Sequence, residues 1–189
     1  MKAWYVVGAV GAGLVLVLLN RQRVVSNLKN TQLGPNFTLD EFVVTSTGLD
    51  NVPGPRETAN LRELVTYFLQ PLRDRFTRKY PGRKVAVHIN SAYRSPLVNA
   101  AVGGAKTSQH KSGEAADFYV TIDGTKLSNA EVIAEARQIG IPYDQIIDEQ
   151  VGGKVWVHGS YDSDNGRRQW LTARDGSSGQ TVYETVQYG

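Results

Sequence analysis

Cysteine is missing from all 189 residues. Its absence excludes a disulfide framework and any thiolate metal site, so histidine and carboxylate remain as the protein ligands for a metal. It leaves the compartment open. Long lysine or arginine runs are missing too, and the formal net charge is only +3. So weak a basic balance suits a solvated surface, or contact with an anionic wall or membrane, and carries no nucleic-acid signature. No internal repeat or low-complexity block follows residue 20. What is present is ordinary apolar content at a length that suits one domain plus appendages.

Residues 1–20 are Met-Lys followed by an almost wholly apolar run over residues 3–19, closed by Arg21 and Arg23. The run is at the short end of the roughly 17–25 residues that span a bilayer. It has no polar face, which argues against a buried soluble helix. No small-x-small cleavage site follows it, which argues against a removed signal peptide. The expectation is an uncleaved single-pass anchor. Its orientation is undecided, because Lys2 stands on one side and Arg21 and Arg23 on the other. Residues 21–35 are polar and aperiodic and read as a linker. The domain is expected over residues 36–172, and a polar, glycine-rich tail over 173–189.

Thr38 and Glu41 form a capping-box pair at the start of the folded part. Residues 57–78 carry a helical period through Leu61, Leu64, Val65, Phe68, Leu69 and Leu72, with Pro71 expected to kink or divide the helix. Arg62, Glu63, Arg73, Asp74 and Arg75 read as its solvated face. Residues 84–90 alternate as a strand, with His88 opposite Val85, Val87 and Ile89. Arg94 follows where this strand becomes a loop. A second strand is expected over 115–122, then a helix capped by Ser128 with Glu131. Residues 142–149 and 154–160 form a hairpin closed by Gly152-Gly153. Tyr183 to Tyr188 carry a faint strand signal.

The densest chemistry lies in residues 108–117, which read S-x-H-x-x-G-x-A-x-D, with His110 and Asp117 seven positions apart. Small residues between them let the backbone pass close to a site. His158 lies far downstream in an apolar strand. Two imidazoles and a carboxylate make a zinc site with a fourth position open, the arrangement of a hydrolytic centre. The competing reading is that each histidine is a hydrogen-bonded structural residue. Alternation puts Gln145, Ile147 and Glu149 on one face of their strand, and Trp156 and His158 on one face of the next. Glu149 then falls beside the second histidine, and Asp148 points away.

Seven segments, at residues 36–42, 69–74, 90–95, 99–104, 108–117, 143–149 and 156–158, resemble in order those of the zinc D-alanyl-D-alanine carboxypeptidases and their L-alanyl-D-glutamate endopeptidase relatives. Those enzymes cut the peptide stems of peptidoglycan. The resemblance implies an α+β fold of the Hedgehog/DD-peptidase type, with helices packed on a small antiparallel sheet. It implies zinc held by His110, Asp117 and His158, substrate contact by Ser108, and substrate binding with oxyanion stabilisation by Arg94. Many members place a carboxylate three residues before the last histidine, where this chain has Val155. The subgroup it most resembles has instead a glutamate closing the preceding strand, here Glu149, as general base. The expected partner is a peptidoglycan stem peptide, met by a domain facing the cell wall or, alternatively, carried on a virion membrane. The rival expectation is a wall-binding protein with an idle metal site.

Overall fold

The computed structural model describes residues 31–164 and 166–186. The expected anchor at 1–20 lies outside them. Among the described residues no helix is long and apolar enough to cross a membrane. Structure begins inside the expected linker: β1 (Gln32–Gly34) pairs with β2 (Phe37–Thr38), and Leu33 is buried. Glu41 accepts from both the N–H and the hydroxyl of Thr38, which starts a 3-10 turn at Leu39–Phe42.

The long amphipathic helix runs as α1 (Pro55–Leu64), a π turn (Val65–Leu69) and α2 (Gln70–Lys79). The α-helix is divided as expected, by a π turn that ends two residues before Pro71. A proline ring clashes with the carbonyl four residues back and has no N–H to offer it. The wider turn relieves this, with Gln70 N–H donating to the Val65 carbonyl five residues back. The expected solvated face is only partly solvated. Arg75 donates to Glu135 of the next long helix at 2.6 Å, and Lys79 pairs with the same carboxylate.

The strands are β3 (Val85–Ser91), β4 (Ala115–Ile122), β5 (Thr125–Lys126), β6 (Gln145–Val151), β7 (Lys154–Ser160), β8 (Gln169–Asp175) and β9 (Thr181–Thr185). They order as β3-β4-β7-β6-β8-β9, with β5 beside β4. Helices α3 (Pro96–Ala101) and α4 (Asn129–Gln138) lie between strands in the chain. Gly152 and Gly153 both take positive φ in the β6–β7 turn, a conformation that matches the twist of a tight hairpin.

Two expectations about the sheet are corrected. It is not wholly antiparallel, since β8 runs parallel to β6. The chain leaves β7 beside the start of β6 and needs only a short loop across that end to begin β8. The sheet also continues past residue 172, through β8 and β9, into the stretch read as a polar tail.

Alternation gives the sheet two unlike faces. Phe118, Val120, Ile122, Ile146 and Val157 face a core built with Phe68, Leu72 and Phe76 from the long helix and Val132, Ile133 and Ala136 from α4. A Cβ on Gly159 would sit 2.6 Å from the Phe68 ring, so helix and sheet approach closely there. The opposite face carries Asp117, Glu149, Trp156 and His158.

Candidate metal centre

His110 sits in a 3-10 turn, Gln109–Lys111, after the loop that follows α3. The turn reverses at Gly113, whose φ is +77°. A Cβ there would lie 2.5 Å from the Glu57 carbonyl oxygen. Glycine thus satisfies both the left-handed backbone and the close pass over α1. Ala115 and Ala116 then enter β4 fully buried and bring Asp117 into register opposite His158 of β7.

Asp117 Oδ1 lies 3.3 Å from His110 Nε2 and 3.0 Å from His158 Nδ1. One ligand atom from each of the three lies within 4.8 Å of the others. All three residues are buried. The Ala92 carbonyl lies 2.6 Å from His110 Nδ1. A carbonyl only accepts, so Nδ1 carries the proton and neutral His110 presents a bare lone pair at Nε2. That lone pair faces the carboxylate oxygen, an arrangement a cation between them would stabilise. The donor set therefore fits a divalent metal, with the Ala92 carbonyl orienting its imidazole from behind.

Asp117's outer oxygen is held separately. Arg94 Nη2 donates to Oδ2 at 2.6 Å while its Nε donates to Ser91 Oγ at 2.9 Å. Burial pushes the Asp117 carboxyl up, but His110 and His158 outweigh it and hold the group well below the usual carboxylate range. Glu149 is shifted the other way. Burial, and then the charge of Asp117, push it up to about 7. Glu149 pairs directly across from Trp156 on the face that carries His158.

These groups line one cleft of about 500 Å³, together with Ser108, Gln109, Gln145, Ile147, Arg167, Leu171 and Tyr183. Every candidate from the sequence reaches this cleft: His110, Asp117, His158, Glu149, Arg94 and Ser108. His88 does not line it. It stacks on Tyr119 and shares a hydrogen bond with Thr121. Val155 is three residues before His158 in a strand without a bulge, so alternation puts the two on opposite faces.

The family model for peptidase M15 matches residues 35–146, more than half of the chain. The chain belongs to the peptidase M15 family. M15 enzymes are zinc peptidases of the D-Ala-D-Ala carboxypeptidase type, so zinc is the cofactor and a peptide the substrate. No curated protein matches the chain. The M15 match ends before Glu149 and His158, and it is the β6–β7 hairpin that carries these two back to His110 and Asp117. Sequence reasoning missed Arg167, Leu171 and Tyr183, all beyond the hairpin. It also missed Asp144, whose one visible trace is an acid set just before the apolar pair Ile146-Ile147.

Proposed function

We propose that the protein hydrolyses peptide bonds in peptidoglycan stem peptides, with zinc held by His110, Asp117 and His158. When bound, zinc supplies Lewis acidity, which acidifies the attacking water and draws charge from the scissile carbonyl. Glu149 is the general base, taking the proton of that water and passing it to the leaving amine. Burial raises the Glu149 carboxyl above its usual range, which favours its uptake of a proton from the water. Arg94 fixes the outer oxygen of Asp117 and offers its remaining N–H groups to the substrate and the developing oxyanion. Ser108, which lines the same cleft, contacts substrate. Residues 1–20 anchor the domain to a membrane so that the cleft faces the wall, in a bacterial envelope or on a virion.

The observation that carries this reading is a buried His-Asp-His group opening on the same cleft as a carboxyl kept from ionising easily. A specific observation favours a second reading, a wall-binding protein with an idle site: the chain has Val155 where many relatives place their base. The strand geometry weakens that reading, because a carboxylate at 155 would lie on the wrong face and Glu149 on the right one. Mass analysis of muropeptides after digestion with the zinc-loaded protein decides between them. Loss of a terminal D-alanine or cleavage after L-alanine is expected. Binding to the wall without any new amino group would establish the idle site.

A further inference from the structure

Arg167 stands at the rim of the metal cleft, outside the M15 match, with its side chain about half exposed. Its counter-charge is not at the surface. Asp144 is fully buried, immediately before β6. Arg167 donates to it three ways: from its backbone N–H to Oδ1 at 2.8 Å, from Nε to Oδ1 at 2.8 Å, and from Nη2 to Oδ2. Nη2 also reaches Gln109 Oε1 at 3.3 Å, next to the ligand His110. Asp144 is itself pinned by backbone bonds, its N–H to the Ser160 carbonyl and its carbonyl to the Gln169 N–H.

The plain purpose of such a pair is to staple the loop that crosses the end of β6 into β8. The geometry goes further than that purpose needs. Asp144 takes Nε and Nη2, Gln109 takes the second N–H of Nη2, and Nη1 is left as the guanidinium donor on a side chain that lines the cleft. A cationic N–H of this kind makes a charge-assisted hydrogen bond to a second carboxylate. A rigidly held arginine also loses little freedom when it binds.

Peptidoglycan stems supply a matching group whichever bond is cut. In D-Ala-D-Ala the leaving residue ends in a free carboxylate. In L-Ala-D-Glu the leaving D-glutamate continues through its side chain, so its α-carboxylate is free. We propose that Arg167, aimed by Asp144, anchors the free α-carboxylate of the residue on the leaving side of the scissile bond. This rests on the peptidase reading given above and names the group by which that site selects its substrate.

The test compares paired stem peptides, one with this carboxylate free and one with it as the carboxamide, using the zinc-loaded full-length protein. The wild type is expected to favour the free acid by about 10- to 100-fold in kcat/KM, the range for a hydrogen bond to a charged group. In Arg167→Gln the preference should fall to near unity, because the cationic donor is gone. Because that change strands a buried carboxylate, the double variant Arg167→Gln with Asp144→Asn is measured beside it and should lose the preference equally. A staple alone would lower the melting temperature and leave the acid-to-amide ratio where it was. Retention of the ratio in both variants, or a wild type indifferent to the amide, overturns the anchor while the peptidase reading stands. A wild type that binds zinc and cleaves neither peptide overturns both.

Discussion

Asp148 and Glu149 are neighbours in β6, on opposite faces of one sheet, and their surroundings differ in kind. On the core side Asp148 accepts from Asn129 Nδ2 at 2.6 Å and pairs with Arg174 Nη2 at 2.7 Å. Burial pushes its carboxyl up, but these partners outweigh burial and leave it below the usual range. On the cleft side the attractions of His158, Arg94 and Trp156 for Glu149 are too weak to outweigh burial. Burial and the nearby charge of Asp117 raise it. One residue of register thus separates a carboxylate used as mortar from a carboxyl kept reactive. Perturbed groups gather at functional sites because satisfaction and reactivity pull in opposite directions.

Removing the metal should produce the largest effect, since it disables the cleft face as a whole and leaves the core face untouched. Chelation, or His158→Ala, is expected to abolish peptide cleavage. Readdition of zinc should restore the chelated wild type and not the variant, as followed by released amino groups together with zinc content. A chelated protein that still cleaves would show that the buried His-Asp-His group is structural.

Next come the paired substitutions Glu149→Gln and Asp148→Asn. Loss of a general base typically costs about 10²- to 10⁴-fold. Glu149→Gln should fall in kcat by that amount with zinc content unchanged. Asp148→Asn should cleave within about threefold of wild type and show its damage in thermal stability, since a broken hydrogen bond to a charged group costs roughly 1–3 kcal/mol. Equal activity in Glu149→Gln and wild type would remove Glu149 from the chemistry.

That two-faced design is visible in the sequence wherever period-two alternation sets one row of side chains against another. Val85, Val87 and Ile89 are separable from His88, and Gln145, Ile147 and Glu149 from Asp148, because a strand cannot present neighbouring residues to one side. The spacing of His110, Gly113 and Asp117 is legible for a similar reason, since a tight turn under α1 requires a glycine. The rest is hidden for physical reasons. Pro71 signals that the long helix is divided, but a sequence does not show that the division takes the form of a π turn upstream of the proline. β9 is an exposed edge strand and β8 beside it buries little beyond Ala173, so the two leave almost no periodic trace. Arg167 and Asp144 are joined by side chains across two loops, and no period links such a pair.

The finest contrast between the two faces is in the sign of their response to pH. In the metal-free protein Glu149 titrates at about 7 in the fold against about 4.5 when unfolded. Between those values the folded state binds the extra proton, so Glu149's contribution is fully present below about pH 4.5 and is lost as pH rises through 7. At about 1.4 kcal/mol for each pH unit that separates the two values, the loss approaches about 3 kcal/mol above pH 8. Glu149→Gln escapes it and should melt higher than wild type at pH 8 but alike at pH 4.5. For Asp148 the sign reverses. Its pKa is lowered in the fold, so its contribution is present above the unfolded value of about 3.8 and vanishes as pH falls through the folded one. Asp148→Asn should therefore be destabilised at neutral pH, with the gap to wild type closing in acid. Melting temperatures of the chelated proteins from pH 3 to 9 would show the two difference curves sloping in opposite directions. Parallel slopes would mean that the neighbouring carboxyls share one environment and that the division between structural and reactive faces is false.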